Sequence, residues 1–155
     1  MDLYNNRTSV NADMQLYRAL AVGDLPAAQL ISAAVGKSQA SGGGNPATAF
    51  NRGLCLFLLE EHEGALSELK RAEQLSGNPP ELDISDKNLF IKALELSSRE
   101  KKLFLLPLDP DSASGNMRYV LIRVKWLTAL CLKALGREGE AAMIKRFLSQ
   151  YNIEL

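Results

Sequence analysis

Apolar residues recur every three to four positions through most of this chain, and no stretch sustains a strict apolar–polar alternation, so helices are expected and strands are not. Asn11 or Asp13 begins a helix to about Val22, where Gly23-Asp24 ends it and Asp24 caps the next. Pro26 sits in the first turn of that second helix, where a missing N–H leaves nothing unsatisfied; the helix stops near Val35, before Gly36. Pro46 restarts a helix through Leu59, Glu60-Glu61-His62 makes a tight turn, and a further helix runs from Glu63 to about Leu75. Ser85 or Asp86 caps a long helix to about Phe104, and Pro107 and Pro110 forbid its continuation. The last two helices are Met117–Leu135, ended by Gly136, and Glu138 to about Tyr151. The expectation is an all-α fold of about seven helices in a single domain over 1–155, with 1–10 flexible and 36–45 and 105–115 as loops. Six helices fall into antiparallel hairpins, because turns of two or three residues force neighbours side by side.

Two hairpins share a local pattern. Gly53 precedes Leu54-Cys55-Leu56, with Leu59 and then Ala65; Ala129 precedes Leu130-Cys131-Leu132, with Leu135 and then Ala141. Ala28 follows the Gly23 turn at the same offset in the first hairpin. Small residues at these points let two backbones approach, and the leucines fill the groove between them. The pattern resembles the tetratricopeptide repeat, whose unit spans about 34 residues. The likeness is good over Phe50–Pro79, fair over Arg123–Leu148 and weak over Leu16–Val35. It implies hairpins stacked as a short right-handed superhelix of about three units. Between the middle and last hairpins, near Asp86–Asp111, it implies a degenerate unit of one long helix and an irregular loop.

Composition narrows the class of function. At 46% hydrophobic and 23% charged residues the chain is globular, and 18 basic residues against 18 acidic ones leave no net field to draw nucleic acid or an anionic membrane. No run is long enough to span a membrane, and the first fifteen residues show no secretory leader. Cys55 and Cys131 lie in apolar helical runs and read as buried free thiols of a reducing cytosol, so a cytoplasmic protein is expected. One histidine cannot complete a metal site with them, and no cofactor or metal is expected. His62 stands in a polar turn with no nucleophile beside it, and Gly36-Lys37-Ser38 and Gly42–Gly44 follow no strand and make no phosphate loop. The reading is that the chain is not an enzyme.

What remains is binding. The first helix of each repeat hairpin lines the concave side of such a stack. The resemblance therefore nominates Ala47, Phe50, Asn51, Leu54 and Phe57 in one hairpin and Arg123, Trp126, Leu127, Leu130 and Lys133 in another. Arg123, Trp126, Leu130 and Lys133 also share one helical stripe by spacing, opposite the apolar Val120, Val124, Thr128, Cys131 and Leu135. An aromatic residue between two cations suits a recognition surface; the alternative is that Trp126 and Phe50 pack against the neighbouring unit. Arg118, Arg123, Lys125, Lys133 and Arg137 face no acidic residue from Ser112 to Arg137, which favours an acidic peptide or protein segment as partner. Asn51 and Arg123 match two positions of the family's carboxylate clamp, but Asp13, Tyr17 and Leu127 do not, so a chaperone-tail clamp is not expected. The leading expectation is an adaptor that holds a peptide in its groove. A second is self-association, as a homodimer or within a larger complex, through the apolar Lys101–Leu108 stretch: Leu103, Phe104, Leu105 and Leu106 have no evident partner helix.

Overall fold

The computed structural model describes residues 2–38, 44–100 and 102–155, with side chains from residue 12 onward. Among them it is all-α, with seven helices and no strand: α1 Asp2–Ala21, α2 Leu25–Ser38, α3 Pro46–Leu58, α4 His62–Ser76, α5 Ile84–Ser98, α6 Met117–Ala134 and α7 Glu138–Ser149. Single 3-10 turns lie at Leu103–Leu105 and Ala113–Gly115. Helix α1 begins at Asp2, inside the stretch read as flexible and ahead of either expected cap. Half of the expected 36–45 loop, residues 39–43 with Gly42 and Gly43 included, lies outside the described residues, as does Lys101, and α2 runs on past the expected stop at Val35 to Ser38.

Two helix starts follow the expected chemistry and a third changes its capping residue. Asn45 Oδ1 accepts the Ala47 N–H at 2.8 Å, with Pro46 behind it, and Asp24 Oδ1 accepts the Ala27 N–H at 3.2 Å. Helix α5 is capped by Asp83, whose Oδ1 accepts the Asp86 N–H at 2.8 Å, and not by Ser85 or Asp86.

Three hairpins, α1/α2, α3/α4 and α6/α7, turn in one way. Each turn carries a residue of positive φ: Gly23 at 80°, Glu60 at 64° and Gly136 at 72°. The next N–H reaches back over the helix end, Asp24 to the Ala19 carbonyl, Glu61 to Leu56 and Arg137 to Leu132, at 2.8–2.9 Å. That bond satisfies a carbonyl the helix leaves orphaned. Five positions after each positive-φ residue stands a wholly buried alanine, Ala28, Ala65 or Ala141. In the middle hairpin Gly53 faces Leu69: a Cβ built there would lie 3.0 Å from the Leu69 Cγ, so the approach of α3 to α4 needs the missing side chain.

The hairpins pack in chain order. Arg52 of α3 ties three helices, pairing with Glu68 of α4 at 2.9 Å while its Nε donates to the Ser32 carbonyl of α2 at 3.1 Å. Helix α6 lies along α4: Val120, Val124, Leu127 and Cys131 share one core with Ala65, Leu66, Leu69 and Ala72, and Lys125 pairs with Glu73. That contact corrects one expectation. The third hairpin rests directly on the second, so residues 77–116 are an excursion from the stack and not a degenerate unit within it. Helix α5 also ends at Ser98 and does not reach Phe104, because Leu103 and Leu105 are drawn into two separate cores. The opposite face of α6, Ile122, Trp126 and Ala129, meets Leu94 of α5 and Leu148, Tyr151 and Ile153 of the C-terminal stretch. Both cysteines are buried and unpaired, and burial pushes the Cys131 thiol up to about 12.

Candidate binding cleft

Helices α3 and α6 enclose an angle floored by Ala47, Phe50 and Leu54 on one side and Leu127 on the other, none of which reaches solvent. Asn51 of α3 and Arg123 of α6 stand over that floor, and both are buried. Buried polar groups persist only where partners satisfy them; here the partners come from the stretch that leads from α5 back to α6.

That stretch makes a 3-10 turn at Leu103–Leu105 and then runs across the cleft outside any helix, with Leu106 extended. Asn51 Oδ1 accepts the Leu108 N–H at 2.8 Å, and its Nδ2 donates to the Leu108 carbonyl at 2.8 Å. Asn45, beyond its capping role, donates Nδ2 to the Pro110 carbonyl at 2.9 Å. Arg123 donates Nη2 to the Leu106 carbonyl and Nη1 to the Tyr119 hydroxyl at 2.9 Å. Three side chains thus grip main-chain groups at residues 106, 108 and 110. Leu105 and Leu108 enter the α3/α4/α6 core, while Leu103 enters the core on the α5 side.

The Arg123 guanidinium lies 5.2 Å from the Phe50 ring centroid and 5.6 Å from that of Tyr119. Ring faces stabilise a desolvated cation. No carboxylate among the described residues pairs with it, and its Nε has no partner. Burial lowers its proton affinity below the usual arginine value, and the Tyr119 oxygen offsets part of that.

The nominated residues therefore divide. Phe50, Asn51, Leu54 and Arg123 come together beneath Leu106–Leu108. Trp126 turns toward α5, with the Phe104 ring 5.6 Å away. Phe57 is half-buried at the other end of α3, edge-on to His62 at 5.3 Å, and Leu130 and Lys133 are half-buried further along α6. Phe50 packs against the neighbouring hairpin, as the alternative had it, whereas Trp126 packs against α5 and Phe104 of the excursion. The idea that the 101–108 stretch lacks a cover is corrected in part: Leu103 and Leu108 are buried and Phe104 and Leu105 half-covered, while Leu106 is exposed. Asn45 and Tyr119 had been passed over. Tyr119 sits one helical turn before Arg123 on the same stripe, a signal present in the spacing; Asn45 stands directly before Pro46, where a helix cap is expected.

No helix among the described residues is long and apolar enough to cross a membrane. No protein-family model, curated protein or solved structure matches the chain.

Proposed function

We propose that this chain is a non-enzymatic protein-interaction module, a tetratricopeptide-like stack of three helical hairpins that holds an extended peptide or protein segment in the α3–α6 cleft. The observation that carries it is the pair of bonds from Asn51 to the Leu108 backbone. A buried side-chain amide that reads one N–H and one carbonyl of an extended chain recognises main chain independently of sequence, which is how peptide grooves obtain affinity. The repeated turn geometry at Gly23, Glu60 and Gly136 supports the repeat character of the scaffold.

An acidic segment suits the cleft best. Arg123 is desolvated between two rings and lacks a carboxylate among the described residues, and a buried cation without a counter-charge is unfavourable until an anion meets it. The two buried thiols fit a cytosolic setting. Self-association through Leu103–Leu106 is the weaker reading, since Leu103, Phe104 and Leu105 pack into the two cores and only Leu106 is exposed; the apolar residues left most open on the excursion are Ile84, Leu89 and Leu96 of α5.

Selection from a displayed library of random decapeptides tests the proposal. The chain should enrich acidic, apolar sequences, and Asn51→Asp and Arg123→Lys variants of unchanged helical circular dichroism should not. Absence of enrichment, or equal enrichment by both variants, removes the cleft as a binding site.

A further inference from the structure

The stretch from Leu103 to Pro110 is bound to the rest of the chain as a ligand would be. It belongs to no α-helix and no hairpin. Pro107 and Pro110 supply no main-chain donor, and Leu108 donates its N–H to a side chain, Asn51. Leu106 has extended dihedrals, φ −89° and ψ 140°. The grips on residues 106, 108 and 110 recur at every second position, the period of an extended chain. Only Leu105 and Leu108 supply side chains to the core beneath.

The stretch is also flanked by solvent. A surface cleft of about 260 Å³ opens between it and Tyr119, Val120 and Arg123. A second of about 270 Å³ lies between α5 and Tyr119, and a third of about 530 Å³ lies between residues 76–82 and the start of α6. Tyr119 borders all three, so the excursion rests on α6 across a row of gaps.

We infer that Leu103–Pro110 is a displaceable internal occupant of the α3–α6 cleft, and that the external partner is a segment repeating its pattern: an apolar residue, one position of freely chosen side chain, then proline and leucine. The inference rests on the peptide-binding reading above and names its ligand class and its control. Such a partner meets Asn51 with its own backbone and places its two apolar side chains where Leu105 and Leu108 sit. A tethered occupant competes at a high effective concentration, so the closed chain binds a free peptide weakly and the opened chain binds it well.

Native-state hydrogen exchange on the unaltered chain reads the first half of this. The Leu105, Leu106 and Leu108 amides should exchange at least about tenfold faster than those in the middle of α3 and α4, through an opening smaller than global unfolding. A labelled peptide of the 102–112 sequence reads the second half. It should bind a Leu108→Asp variant at least about tenfold more tightly than the unaltered chain, and Asn51→Ala in that background should abolish the gain. Exchange as slow as in α3 and α4 makes the stretch a fixed part of the core and overturns the displaceable occupant, whatever the library selection returns. Rapid exchange with no binding of the peptide to a folded Leu108→Asp chain overturns the ligand pattern. If the library also fails on that opened variant, the peptide-binding reading falls with it. Should Leu108→Asp not fold, the exchange experiment decides alone.

Discussion

Asn51 holds Leu108 by both of its main-chain groups, accepting from the N–H and donating to the carbonyl at 2.8 Å each, with the amide fully enclosed. The two residues belong to different parts of the chain, and the bonds join the hairpin stack to the excursion that covers it. Removing the amide strands two main-chain groups away from water. Asn51→Ala should therefore lower the unfolding free energy by about 2–4 kcal/mol, since each stranded group costs about 1–3 kcal/mol. Urea denaturation followed by circular dichroism measures it. A loss below about 1 kcal/mol would mean that water reaches Leu108 once the amide is gone.

Glu60 occupies the left-handed turn position that glycine holds at Gly23 and Gly136. A residue with a Cβ is strained there by about 1–2 kcal/mol. Glu60→Gly should accordingly raise stability by about 1 kcal/mol, and Gly23→Ala and Gly136→Ala should lower it by a similar amount. Thermal melts of the three variants give the signs, and a destabilised Glu60→Gly would show that the side chain has an interaction stronger than its strain.

Arg123 carries the charge of the cleft. It is buried against Phe50 and Tyr119 with no carboxylate beside it among the described residues, and it donates to the Leu106 carbonyl. Arg123→Met should lower the unfolding free energy by about 1–3 kcal/mol, the cost of leaving that carbonyl without its donor, while erasing any preference for acidic peptides. Calorimetric titration with matched acidic and neutral peptides reads the second effect; a retained preference would move the anion site elsewhere.

The Cys131 thiol sets a limit at high pH. Burial raises its value from 9.0 to about 12, so the folded chain keeps the proton over a range in which the unfolded chain loses it. The unfolded state then binds fewer protons, and stability falls as pH rises. The contribution is intact below about 9 and is lost between about 9 and 12. The melting temperature should drop across that window, and less steeply in Cys131→Ala. In the native protein near neutral pH, Cys131 should resist Ellman's reagent until denaturant is added.

Helix number, the three hairpin turns and the Asp24 cap were legible because they are set within a few residues: a periodic stripe, an Asp before it, a turn after it. The apolar face of α6 through Val120, Val124 and Cys131 was legible for the same reason. Even the cleft residues Phe50, Asn51 and Arg123 could be nominated from position in a repeat. What faces them could not. The Asn51–Leu108 bonds join residues 57 apart, and nothing local tells Leu103–Leu108 to leave the line of α5 and enter the cleft. Its proline-broken, leucine-rich composition suits an exposed patch as well as a buried strap. Only the direct packing of α6 on α4 decides between them: it expels residues 77–116 from the stack and leaves a cleft that their apolar side chains and unpaired backbone groups are the nearest to fill. Periodicity and capping determined the elements; long-range burial of main-chain polar groups decided which surface the protein keeps covered.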